Sequence, residues 1–295
     1  MSQTSGPRDV DRDRLVGLAF RMLGTVADAE DAVQEAFVRW YRLDDAGREA
    51  VTNRVGWFAR TTSRVCLDVL KSAPRRHDRY VGPWLPEPVA DGRYATPTLQ
   101  DGDPAELAVR SESVSMALLT VMESMTPAER VAFVLRDVFD VPVAEVADVL
   151  DRSPGAVRQL ASSARARVAA GGDVSGVPDP SLTAAFQRAA VTGDVAELLR
   201  LLHPDVTLLS DGGGVARAAL NPVRGAEKVA RFVVGVLARQ APTTLRLRET
   251  PSGVVLTFDR DGDTSGVLEL VTDSGAVRAV LVQWNPHKLR TWRPT

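Results

Sequence analysis

Cysteine is almost absent from the 295-residue chain, and the single Cys66 excludes an internal disulfide framework. Lysine is scarce as well, with only Lys71, Lys228 and Lys288, so arginine carries nearly all the positive charge. The three histidines (His77, His203, His287) lie far apart and none has metal-ligand spacing with Cys66, so neither a metal nor a cofactor is expected. No stretch approaches roughly 18 apolar residues, and the opening MSQTSGPRDVDRDR has no apolar signal core. The expectation is a cytoplasmic protein without membrane association. No Walker loop, GxSxG or HExxH occurs. The formal net charge of −2 does not mark a nucleic-acid binder.

Local charge is more informative. Residues 152–168 carry Arg152, Arg158, Arg165 and Arg167 with no acid, whereas residues 81–125 hold seven acids and two bases. The basic segment ends TPAERVAFVLRDVFDVPVAEVADVLDRSPGAVRQLASSARARVA (126–169), which reads as three helices opened by Thr126-Pro127, Val141-Pro142 and Ser153-Pro154. Thr126 with Glu129 has capping-box spacing, and Asp151-Arg152 makes a tight turn. The third helix turns Val157, Leu160, Ala161, Ala164 and Val168 inward and Arg158, Gln159, Ser162 and Arg165 outward. That is a helix-turn-helix pattern, whose second helix can enter a major groove; the bland alternative is a helical hairpin with a solvated face.

Upstream, Asp11 to Leu23 reads as a helix closed by Gly24, and Thr25 with Asp28 opens another to about Leu43. Its early acids (Asp28, Glu30, Asp31, Glu35) suit the positive end of the helix dipole. LDDAGREAVTN (43–53) reads as a polar loop, and a long helix follows from Asn53 to Lys71. Trp57, Arg60, Thr61, Arg64, Asp68 and Lys71 share its outer face, an arrangement suited to stacking an unpaired base beside a phosphate backbone. The competing reading packs Trp57 on the preceding helix.

Residues 79–103 hold four prolines and should be extended, with Trp84 and Leu85 docked on a neighbouring domain. A helix is expected from Asp103-Pro104 to about Ser124. Beyond the break at 171–180 the texture changes to two helices ending at His203-Pro204, a strand leading into Asp211-Gly212-Gly213-Gly214, a helix, and four strands with glycine turns. Helices followed by an antiparallel meander imply an α+β cone.

The runs LVGLAFRMLGTVADAEDAVQEAFVRWYRL and RVGWFARTTSRVCLDVLKS resemble region 2 of extracytoplasmic-function sigma factors, and the helix-turn-helix is similar to their region 4. The phrase GPWLPEPV, the DGGG turn and Asn285-Pro286-His287-Lys288-Leu289 resemble signatures of group 41 of that family, with His287 where the group usually has Asp. The C-terminal order of elements is similar to the SnoaL-like branch of NTF2-like folds. The resemblance implies two all-α sigma domains followed by an α+β NTF2-like cone, divided as 8–78, a linker 79–103, 104–170 and 178–295.

By the same resemblance, Asp28, Asp31, Gln34 and Glu35 face the clamp helices of core RNA polymerase. Asn53, Arg54, Trp57, Arg60, Thr61, Arg64 and Lys71 hold the −10 element, and Ser153, Arg158, Gln159, Ser162 and Arg165 read the −35 element. Trp84, Leu85, Pro86, Asp211, Gly212, Gly213, Asn285, Pro286, Lys288 and Leu289 form regulatory contacts. The partners implied are polymerase and promoter DNA, without a separate anti-sigma protein, and the free protein is expected to be a monomer. Two other readings stay open: a helix-turn-helix regulator with a ligand-sensing domain, and an NTF2-like enzyme using Asp211 or His203 as general base.

Overall fold

The computed structural model describes residues 10–77, 80–90, 115–170, 179–239 and 243–292. They fall into two compact units whose residues interleave along the chain. Of the described residues, those from 10 to 74 and from 122 to 167 make the first, and those at 75–77, 80–90, 115–121, 168–170, 179–239 and 243–292 make the second. Asp103-Pro104 and the second half of the linker lie outside the described residues.

In the first unit, α1 (Arg12–Leu23) is capped by the Asp11 side chain and closed by Gly24 at φ 78°. It is buried on almost every side from Leu15 onward, Arg21 included. The Arg21 guanidinium donates to the Gly17 carbonyl and lies 5.5 Å over the Phe139 ring, and burial lowers its pKa to about 10. Helix α2 (Val26–Arg42) starts where the Thr25 hydroxyl accepts the Asp28 N–H, and it buries Ala29, Ala32, Val33, Ala36 and Trp40. The segment read as a polar loop contains a short helix instead, α3 (Asp45–Glu49), because the Asp44 carboxylate accepts the Gly47 N–H and nucleates a turn. Helix α4 (Arg54–His77) runs past the expected end at Lys71.

Helix α5 (Met116–Met122) leads into α6 (Pro127–Phe133), which has a complete Thr126–Glu129 capping box. A π turn (Val134–Val138) then carries the chain to α7 (Val143–Leu150) and α8 (Pro154–Ala170). Pro142 occupies the N-cap of α7, one position earlier than expected. Asp151 adopts φ 52° between α7 and α8, a left-handed conformation that aspartate tolerates better than most residues.

The second unit is built on a six-stranded sheet ordered β2-β1-β6-β5-β4-β3. Its chain order is α9 (Pro180–Thr192), α10 (Val195–Leu201), β1 (Leu202–Asp211), β2 (Val223–Arg224), α11 (Ala226–Arg239), β3 (Thr244–Thr250), β4 (Gly253–Arg260), β5 (Asp263–Asp273) and β6 (Ala276–Gln283). Strands β3 to β6 are the expected meander, whereas β1 pairs with β6 in parallel, so the sheet is mixed. His203-Pro204 belongs to β1 and not to a helix end, since α10 stops at Leu201. One face of the sheet packs Leu208, Leu256, Leu268, Leu270, Val280 and Val282 against helix residues Phe186, Leu198, Val229 and Val233. The other face is covered by Leu85 and the start of α5 over Val271 and Leu281, and by Leu289 and Trp292 over Val255 and Val267.

Candidate nucleic-acid interface and regulatory contacts

The third helix of the helix-turn-helix presents two distinct sides. Ser153 caps α8 by accepting the Ala156 N–H at 3.2 Å. Val157, Ala161 and Ala164 are buried, while Ser153, Arg158, Gln159, Ser162 and Arg165 are exposed. Leu160 and Val168 are only half-buried, so the apolar stripe is narrower than the sequence pattern implies. The Arg165 guanidinium donates to the Asp137 carboxylate at 2.6 Å. Buried Glu129 ties α8 to α6, accepting from the Ser163 hydroxyl at 2.5 Å with Arg167 3.6 Å away. Burial acts to raise the pKa of Glu129, but hydrogen bonds from Ser163 and Thr126 and the Arg167 charge together draw it down to about 2.

On α4, Asn53 is the N-cap, accepting the Gly56 N–H at 2.9 Å, and Arg54, Arg64 and Lys71 are exposed. The expectation of an exposed tryptophan is corrected. Trp57 is half-buried, edge-on to Trp40 with centroids 5.2 Å apart and 5.1 Å from Phe58. Aromatic surface is better buried in that cluster, which Phe37 extends 4.6 Å from Phe58. Arg60 and Thr61 are half-buried; Arg60 lies 3.9 Å from Glu145, and Arg64 donates to the Asp148 carbonyl at 2.8 Å. On α2, Asp31 and Gln34 are exposed, Glu35 pairs with Arg39 at 2.9 Å, and Asp28 is half-buried beside its cap partner Thr25.

Within the second unit, Asp211 gathers three separated segments. Its Oδ1 accepts from the Tyr80 hydroxyl (2.6 Å) and the Gly213 N–H (2.9 Å). Its Oδ2 accepts from the Leu85 N–H (2.9 Å), the Lys288 ammonium (2.8 Å) and the Gln283 amide (3.3 Å). Lys288 also donates to the Leu85 carbonyl at 2.6 Å and sits 4.1 Å over the Trp84 ring and 4.9 Å over the Tyr80 ring. Asn285 donates to the Tyr80 hydroxyl, and the Trp292 indole donates to the Pro88 carbonyl. Burial, and then the Asp211 carboxylate, push the Tyr80 phenol above its ordinary pKa. Pro86 and Leu289 are buried, and half-buried Pro286 opens the short 3₁₀ turn after Asn285. His287 is exposed, and the turn's bonding runs through Asn285, which accepts the His287 N–H.

The glycines of the turn are required by contact as much as by conformation. A Cβ on Gly212 would run into the Ala216 carbonyl oxygen, and one on Gly213, at φ 59°, into the Asn285 amide. Gly213→Ala is therefore expected to cost about 2 kcal/mol, read as a lower unfolding midpoint in a thermal melt.

With five donors on its two oxygens and no exposure, Asp211 has no room to act as a general base toward a substrate. His203, the other candidate, accepts the Asp205 N–H and contacts Arg278. No metal-holding group of three or more ligating side chains occurs among the described residues.

Glu269 is a second buried carboxylate on the same sheet face. Its two oxygens accept the Met116 and Ala117 N–H groups at 3.0 and 2.9 Å, and burial outweighs these bonds to raise its pKa from 4.5 to about 7. The fold therefore holds an extra proton between those values. Its stability contribution is complete below about pH 4.5 and is lost as pH rises through 7, a span of about 3 kcal/mol. Glu269→Gln should flatten this part of the stability–pH curve, measured as the difference between wild-type and variant melts.

Residues 11–76 match the family described as Sigma-70 region 2, and residues 115–168 match Sigma-70, region 4. The chain is 44% identical to the ECF RNA polymerase sigma factor SigJ of Mycobacterium tuberculosis (strain ATCC 25618 / H37Rv) over 235 residues, 78% of this chain and 72% of that one. The chain belongs to the ECF RNA polymerase sigma factors. The sigma factor is also 33% identical to the probable ECF sigma factor SigI of the same species over 283 residues, 94% of this chain and 92% of that one. The crystal structure of M. tuberculosis SigJ matches it with a TM-score of 0.69 at 36% identity, covering 95% of this chain and 96% of that one. Promoter-directed transcription initiation with core RNA polymerase follows from this membership. No helix among the described residues is long and apolar enough to cross a membrane.

Several residues of these contacts escape a sequence reading. Tyr80 and Trp292 flank the quoted motifs by a few positions. Gln283 and Glu269 carry the detectable signal of a polar residue inside an apolar strand. Glu145 and Asp148 carry none, since the Arg64–Asp148 contact spans 84 positions.

Proposed function

We propose that the sigma factor reads the −35 element through Ser153, Arg158, Gln159, Ser162 and Arg165 of α8. In the same reading the −10 element is held by Asn53, Arg54, Trp57, Arg60, Thr61, Arg64 and Lys71, and the polymerase clamp helices by Asp28, Asp31, Gln34 and Glu35. The observation that carries the first assignment is the exposed polar side of α8 opposite its buried Val157, Ala161 and Ala164. With Trp57 half-buried, base capture falls to its exposed edge and to the neighbouring arginines. The chain itself makes no bonds; the chemistry is the polymerase's.

Residues 178–295 form an in-cis regulator, in place of a separate anti-sigma protein, on a cytoplasmic and monomeric chain. Support comes from the Asp211 cluster, in which Trp84, Leu85, Gly213, Asn285 and Lys288 converge on one carboxylate and its neighbours. Ending the chain near Gly171 removes this unit's sheet, and ending it before Asn285 removes only the tail. Both truncations should change transcript yield from a cognate promoter with core polymerase. Unchanged yield from both would rule out control in cis.

A further inference from the structure

Arg60 and Arg64 stand one helical turn apart on α4, and Glu145 and Asp148 stand one turn apart on α7. The two faces meet: the Arg60 guanidinium lies 3.9 Å from the Glu145 carboxylate, and Arg64 donates to the Asp148 carbonyl at 2.8 Å. That carbonyl is in the final turn of α7, and its usual helical donor, the Arg152 N–H, goes to Ala147 instead. It therefore carries the partial negative charge of a helix C-terminus. Each arginine thus faces an oxygen of negative character, the ligand chemistry that a phosphate offers.

We propose that α7 is a built-in competitor for nucleic-acid backbone, with Glu145 and the Asp148 carbonyl occupying the places of two phosphate oxygens on Arg60 and Arg64. This rests on the reading of α4 as a promoter-binding helix and names how that site is regulated. Promoter elements about 17 base pairs apart lie roughly 58 Å from each other at about 3.4 Å per pair. A −10 helix in contact with the helix-turn-helix cannot reach both, so the contact belongs to the DNA-free protein and opens on binding. The pair is partly exposed, with side chains 37% and 38% accessible, so the latch is weak enough for DNA and polymerase to displace.

The test is fluorescence anisotropy of a labelled, mixed-sequence single-stranded DNA with the full chain, since a phosphate grip does not depend on base identity. Glu145→Gln, which keeps the shape and removes the charge, should bind about two- to fourfold tighter than wild type. The gain should vanish in an Arg60→Ala background, and the control Glu227→Gln, on exposed α11, should change nothing. Arg60→Ala and Arg64→Ala should each bind more weakly than wild type. If they do so but Glu145→Gln gains nothing, the competitor is refuted and the α4 reading stands. If neither arginine variant loses affinity, the α4 reading falls and the competitor with it.

Discussion

Replacing Asp211 with alanine should destabilise the C-terminal unit by at least about 3 kcal/mol and lower its unfolding midpoint by roughly 10 °C. The cost exceeds that of an ordinary ion pair because of what remains. Lys288 would stay buried at 8% side-chain exposure without the Asp211 charge beside it, and the Leu85 and Gly213 N–H groups and the Tyr80 hydroxyl would lose their Asp211 acceptor. Lys288→Met should be milder, since Asp211 keeps four of its donors and a methionine stem can still fill the space between Trp84 and Tyr80. The double variant should cost less than the sum of the singles, the signature of a coupled pair. Equal effects of Asp211→Ala and a substitution at exposed Asp205 would show that the cluster does not hold the unit together.

The second large effect lies on α8. Arg158→Ala and Gln159→Ala remove exposed side chains, so the fold should be unchanged. Loss of a bidentate base contact is worth about 1–3 kcal/mol of discrimination, which is roughly tenfold or more in promoter preference. Each variant should tolerate substitutions at one −35 position that wild type rejects, measured as transcript yield across a promoter series. Arg165 should behave differently, because its guanidinium is already held by Asp137 at 2.6 Å. Removing Asp137 should free that arginine and strengthen DNA binding without relaxing sequence preference.

Much of this architecture was legible because its signals are local. Asp11, Thr25, Thr126 and Ser153 announce helix starts through their own side chains, and Gly24 and Asp151 announce ends through positive φ. The meander from β3 to β6 follows from alternation and glycine turns. What stayed hidden depends on partners distant in sequence. The parallel pairing of β1 with β6 joins Leu208 to Val280, and no local pattern encodes it. Trp57 looked exposed because its helical phase puts it among arginines, yet Trp40 and Phe58 claim it. The motif around Trp84 and the tail around Lys288 were legible as unusual segments, but their shared anchor on Asp211 appears only in three dimensions.

The central claim, a promoter-reading subunit whose own C-terminal unit controls it, is tested most directly by in vitro transcription with purified core polymerase. Wild type should yield a discrete start site on a cognate promoter. Arg158→Ala should keep it on promoters altered at one −35 position, where wild type loses it, and Arg64→Ala should lower its yield whatever the −10 bases. The chain ended before Asn285 should change the yield without moving the start. Transcripts that begin at the same site with and without the protein, or DNA binding of equal affinity and specificity in the absence of polymerase, would contradict the account.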